Sequence, residues 1–326
     1  MFSSPAVSPK LAKAPFDDSR ADVILRSSDG VDFRVFQIIL SLVSPVFVDK
    51  FKTARSSFPT AQEILNRTPG AAGLPMAYLD EDSETLDLAL RHCYPTRSPE
   101  LSSLRDAQVL LEFAHKYKVD AFGPSLTHFL AGAVKDDPVR VYALASKYRY
   151  EDISSEAARA CLNLPLSRLT SPELPPVIMD KYQQLIRYHS SCGEAAMAVT
   201  LRQESLASWY KLFSTWHFCM GEDSTCSKPR DNAQDRQVSD PKPLPSPSPP
   251  SYVWSYLHRS ALVLAYHPSV EAVTAEDFVL KDIECPACMS FRRTKMLEFS
   301  RDFGAEVKKA IEQVSRYFSH IRFSSD

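Results

Sequence analysis

Ala21, Val23 and Leu25 alternate with Asp22, Ile24 and Arg26, and Val31, Phe33 and Val35 alternate with Asp32 and Arg34, a period of two that predicts two strands. Ser27-Ser28-Asp29-Gly30 lies between them, and an Asp-Gly pair flanked by alternating stretches signals a hairpin turn. An apolar stretch follows, Ile38-Ile39-Leu40 with Leu42 and Val43. Ser44-Pro45 then has the form of an N-cap and a first-turn proline. Phe47 and Phe51, four apart, share one helical face and are expected in the core. Residues 52–75 hold Pro59, Pro69, Gly70 and Gly73 without a clear period, and read as a surface insertion. Met76–Leu79 predicts a further short strand.

From there the period changes to that of helices. Leu86, Ala89, Leu90 and Cys93 fall at i, i+3, i+4 and i+7 behind the acidic cap Asp82-Ser83-Glu84, and Pro95 ends the run. Leu110, Phe113, Ala114 and Tyr117 mark the next helix; Phe122, Leu126, Phe129, Leu130 and Ala133 mark another. Asp137-Pro138 opens a helix reaching Tyr148, and Ser154-Ser155 opens one reaching about Leu162. Ile178, Tyr182, Leu185 and Ile186 are helically spaced, and Ala195–Trp209 predicts one more helix. Lys228–Ser251 then carries seven prolines in 24 residues, which predicts a disordered or polyproline linker. The last helix has an apolar stripe at Phe303, Val307, Ala310, Ile311, Val314, Phe318 and Ile321.

These patterns divide the 326 residues into a disordered tail (1–15), an α+β segment (16–133), a helical region (134–226), the proline-rich disordered insertion (227–251) and a helical C-terminal region (252–326). With 44% apolar and 24% charged residues the chain can bury a sizeable core. A net charge of −2 gives no whole-chain attraction to nucleic acid or an anionic membrane, so neither is expected as a partner. No apolar run is long enough to span a membrane, and the N-terminus does not read as a secretory signal. The expected location is cytoplasmic or nuclear, not secreted. Only 8 glycines are present, and the chain has no phosphate-cradling glycine motif, no H-E-x-x-H and no G-x-S-x-G. The expectation is therefore no enzyme and no catalytic residues; an enzyme would have to work without a standard motif.

Cysteine is the one chemical signal. Cys285-Pro286-Ala287-Cys288 is a C-x-x-C, the usual way for one segment to supply two zinc ligands. Cys219 and Cys226 stand upstream of the proline-rich stretch, with His217 as a substitute ligand. Three readings stay open: a structural zinc held by Cys219, Cys226, Cys285 and Cys288, closing the loop between them; plain reduced thiols; or a thioredoxin-like redox pair, against which stands the absence of a surrounding βαβ pattern. No other cofactor is expected. The remaining histidines are isolated and read as packing or surface residues. The basic run Phe291-Arg292-Arg293-Thr294-Lys295 and the acidic run Asp80–Glu84 read as solvated helix starts.

The order of pieces in the first third resembles a BTB/POZ domain. Ala21-Asp22-Val23, then Phe33-Arg34-Val35-Phe36-Gln37-Ile38-Ile39-Leu40, then Ser44-Pro45-Val46-Phe47, is similar to the family's opening. Leu79–Leu86, Cys93-Tyr94-Pro95 and Val109–Tyr117 resemble its third strand and following helices. Pro138–Ala145 and the helical remainder are similar to BTB proteins of mushroom-forming fungi. The resemblance implies an α+β BTB/POZ-like domain, a small sheet capped by helices, followed by a mostly α-helical C-terminal region. It implies a protein–protein interaction module: a homodimer or hetero-assembly with protein partners, and an adaptor for a cullin-type ubiquitin ligase scaffold. The alternative is a BTB-containing transcriptional regulator. Phe36 and Gln37 depart from the family's usual His and Lys or Arg, so Asp22 lacks its usual basic partner there.

Overall fold

The computed structural model describes residues 10–56, 73–95, 99–169, 179–201, 209, 251–283 and 289–322. The fold is mixed α+β: a small sheet near the N-terminus, then helices. The two alternating stretches form β2 (Val23–Arg26) and β3 (Val31–Val35), antiparallel with Leu25 opposite Phe33 and Arg26 opposite Asp32. Gly30 closes their turn at φ +80°, a left-handed conformation that glycine adopts without steric cost. Two more strands lie at the edges. β1 (Lys10–Leu11) runs parallel to β3, and β4 (Met76–Tyr78) runs parallel to β2. The sheet order is therefore β1-β3-β2-β4.

The strand at Lys10–Leu11 corrects the expected boundary at Phe16: order reaches into the segment read as a tail. Two residues show no period, and their strand conformation comes from pairing with the edge of β3. Ala12 N–H donates to the Asp32 carbonyl at 2.9 Å, and Phe16 is fully buried.

The apolar stretch is α1 (Gln37–Val43), and the proline-led helix is α2 (Pro45–Ser56). Ser44 caps α2 as its neighbours predict. Its hydroxyl accepts from Phe47 N–H at 3.2 Å and donates to the Tyr117 carbonyl at 2.5 Å. α3 (Ser83–Cys93) starts on Asp82, which accepts from Thr85 N–H at 2.8 Å. α4 (Leu104–Tyr117) carries a capping box made by Ser103 and Asp106. A single 3-10 turn, Asp120–Phe122, leads into α5 (Gly123–Ala133). A row of rings joins these helices. Phe47 stacks on Phe51 at 5.7 Å and on Tyr117 at 4.8 Å, and Phe113 lies 4.4 Å from Tyr117 and 6.3 Å from Phe122. Phe47 and Phe51 are core residues, as expected.

The chain divides into two compact units. One comprises residues up to Asp137 with Leu144–Ile153; the other comprises Pro138–Ala143 and the chain from Ser154 onward. The first unit thus runs past the expected end at 133. α6 (Pro138–Lys147) contributes to both. α7 (Glu151–Cys161) starts three residues before the expected Ser154, where Glu151 and Asp152 complement the helix dipole. α8 (Met179–Ala198) is one continuous helix, so Ala195 lies within it and not at the start of another. α9 (Ser251–Tyr266), α10 (Val270–Thr274), α11 (Glu276–Leu280) and the 34-residue α12 (Met289–Arg322) complete the second unit. Its core joins Ala196 of α8, Val199 just past its end, Tyr256 of α9, Val273, Val279, and the α12 stripe Met296, Phe299, Phe303, Val307 and Ala310. Trp209 meets Phe299 edge-on at 5.3 Å. Among the described residues no helix is long and apolar enough to cross a membrane.

Candidate interaction surface

Seven residues make α1, Gln-Ile-Ile-Leu-Ser-Leu-Val, and none is charged. Only Leu40 is fully buried. Ile38 and Leu42, four residues apart, share the opposite face and are 64% and 78% exposed. Helix faces in contact with water normally carry charge, so an apolar, uncharged face is the informative exception.

Two tethers fix where α1 begins. Gln37 N–H donates to the Asp22 carboxylate at 2.7 Å, and Phe36 N–H donates to the Tyr94 hydroxyl at 3.0 Å. Phe36, at the N-cap, has no side-chain acceptor, so Asp22, just before β2, supplies the cap that the helix itself lacks. Asp22 therefore has a donor from position 37 after all: the backbone amide stands in for the missing basic side chain. Burial raises the Tyr94 phenol to about 12, partly opposed by the Phe36 N–H bond, so its oxygen stays a protonated acceptor at neutral pH. Gln37 Oε1 and Ser41 Oγ, one helical turn apart, are buried without hydrogen-bond partners.

The acidic run Asp80–Glu84 is held by cations and caps. Lys116 reaches Asp80 at 2.9 Å and Glu81 at 2.7 Å, and the buried Tyr117 hydroxyl donates to Glu81 at 2.7 Å. The hairpin contributes too: Asp29 accepts from Ser83 N–H at 2.9 Å and Ser83 Oγ at 2.6 Å, so two carboxylates serve the start of α3. The basic run behaves likewise. Arg293 pairs with Glu276, Lys295 with Glu298 at 2.9 Å, and Arg292 lies over the Tyr252 ring at 5.0 Å.

A surface cleft of about 790 Å³ opens between the start of α4 and α5, lined by Leu101, Leu104, His128 and Phe129. The hydroxyls of Ser102 and Ser103 on its rim are engaged by the capping box around Asp106.

The candidate zinc ligands Cys219, Cys226, Cys285 and Cys288, with His217, lie outside the described residues, as does most of the proline-rich segment. Among the described residues no group of three or more His, Cys, Asp or Glu side chains is arranged to hold a metal ion. Cys93, Cys161 and Cys192 are buried free thiols. His92 donates through Nδ1 to the Leu88 carbonyl at 2.8 Å and meets the Phe122 ring at 5.9 Å, a packing role. Exposure of Ile38 and Leu42 was not legible beforehand, because a short apolar run does not show which of its faces the fold covers.

No protein-family model matches the chain, and no curated protein matches it.

Proposed function

We propose that the N-terminal unit is a protein–protein interaction module of BTB/POZ type that assembles through α1. The observation that carries this reading is the uncharged helix face with Ile38 and Leu42 turned to solvent. Covering a side chain of this size contributes about 1.5–3 kcal/mol, so a few such residues on each partner make a useful interface. The hairpin, the capped helices and the family-like order of motifs support the same assignment. A second copy is the natural partner, since an uncharged apolar stripe complements itself. The adaptor role toward a cullin-type scaffold rests on the resemblance alone.

Light scattering coupled to size exclusion on the full chain tests the assembly. The wild type is expected to run as a dimer at about 100 µM, and the double variant Ile38→Asp/Leu42→Asp as a monomer with unchanged circular dichroism. A wild type that stays monomeric, or a charged variant that stays dimeric, overturns the reading.

A further inference from the structure

Within the helical unit one imidazole is fully buried. His189, in the middle of α8, has no solvent exposure, and its Nε2–H donates to the Leu164 carbonyl at 3.0 Å. A carbonyl only accepts, so the proton must sit on Nε2 and Nδ1 keeps its lone pair. That Nδ1 is buried and has no hydrogen-bond partner. One turn further on, Gly193 brings α8 against the end of α9. A Cβ built there would sit 2.6 Å from the Ala265 carbonyl oxygen and 3.1 Å from that of Leu264. The two backbones therefore pack directly against each other one turn from the ring, with no side chain between them.

The ionisable neighbours do not compensate a charge. His267, just beyond α9, acts on His189 with the repulsive sign, and its own Nε2 is a second buried nitrogen without a partner. Glu271 lies in the field of His267 and of Lys308 from α12, and accepts from Ser269 Oγ at 2.8 Å. From α8 itself, Tyr188 is engaged with Ser315 of α12 at 2.8 Å.

We propose that His189 is an acid-sensitive latch: neutral, it ties the segment after α7 to the middle of α8, and its protonation releases that tie. A proton arriving at Nδ1 creates a buried cation whose new N–H has no acceptor, beside a second imidazole. The free energy is lower when the Leu164 segment lets go and the ring meets water. Burial, then His267, holds the ring's pKa below its ordinary 6.5, while the Leu164 bond opposes them. Below pH 6.5 the opened form binds the proton more readily than the closed one. The stability contributed by neutral His189 is thus present above that pH and lost as pH falls toward the folded value. One proton taken up on opening changes the opening constant up to tenfold per pH unit across that window.

The tryptophans among the described residues, Trp209 and Trp254, belong to this unit, and Trp216 lies between them in the sequence, so tryptophan fluorescence follows it. Urea unfolding of the full chain is followed by this signal between pH 7.5 and 4.5, for the wild type and for His189→Gln. The wild type is expected to lose stability on acidification more steeply, by up to tenfold in the unfolding constant per pH unit below 6.5. Parallel pH dependences in the two proteins overturn the latch. Nitrogen-15 spectra of the imidazoles in the wild-type chain give a readout that needs no folded variant. The latch requires His189 as the Nε2–H tautomer, titrating below 6.5; titration at or above 6.5 in the folded chain overturns it.

Discussion

Arg26 and Asp32 face each other across the β2–β3 hairpin and form a two-pronged ion pair, Nε to Oδ1 at 2.6 Å and Nη2 to Oδ2 at 2.8 Å. The Asp32 side chain has no exposure and that of Arg26 has 14%. The Asp32 backbone carbonyl also receives Ala12 N–H, so one residue anchors the hairpin and the N-terminal strand together. Removing Asp32 leaves a largely buried guanidinium without its carboxylate. Asp32→Ala is expected to destabilise the N-terminal unit by about 3–5 kcal/mol. Chemical denaturation followed by circular dichroism checks this, and a loss below about 1 kcal/mol would count against the pair's role.

Phe47 lies flat against Tyr117, with centroids 4.8 Å apart and ring planes within 3° of parallel. Both rings are fully buried, and Phe51 also stacks with Phe47. Phe47→Ala removes the centre of the row and is expected to cost about 3–5 kcal/mol, whereas Phe47→Leu should cost less. Equal losses in the two variants would show that the cavity is not what matters.

Gly193 has an ordinary helical place but no room for a side chain, because backbone carbonyls of α9 fill the space. Carbonyl groups of a packed helix cannot rotate aside, so Gly193→Ala must push the two helices apart. The expected cost is about 1–3 kcal/mol, opposite in sign to the gain alanine usually brings to a helix. The tryptophan-detected unfolding midpoint falls if this holds and rises if it does not.

Burial raises the thiols of Cys93 and Cys192 to about 12, so the reactive thiolate is scarce at neutral pH. Both should resist a disulfide reagent at pH 8 in the folded chain and react once urea is added. Mass spectrometry of the labelled peptides identifies the sites. Prompt labelling of either cysteine in the native state would contradict its burial.

Ser44 bonds at both ends, to Phe47 N–H and to the Tyr117 carbonyl, and so joins the start of α2 to the end of α4. Ser44→Ala leaves two buried backbone groups unpaired at once. A loss of about 1–2 kcal/mol is expected, at the upper end for a cap residue. A change below about 0.5 kcal/mol in the urea midpoint analysis would assign the contact to packing alone.

Much of the local structure is determined by the sequence itself. Period two over 31–35 and the Asp29-Gly30 turn place the hairpin, because strand side chains alternate whatever lies around them. Ser44 and Asp82 mark helix starts, because a cap satisfies amides within its own turn. The α12 stripe announces a buried face through its spacing alone. Only the tertiary structure decides the rest. Asp22 caps a helix 15 residues on, Asp29 one 54 residues on, and Lys10–Leu11 becomes a strand by lying along β3. His189 looks like any other isolated histidine until α8 and the Leu164 carbonyl close around it. Ile38 and Leu42 are as apolar as Leu40 between them, and which of the three meets water depends on which face of α1 the sheet and helices cover. Hydrogen bonds and periodicities within one turn or one pleat are written along the chain. Pairings across tens of residues arise only when folding brings distant segments to one place, and local sequence carries no mark of them.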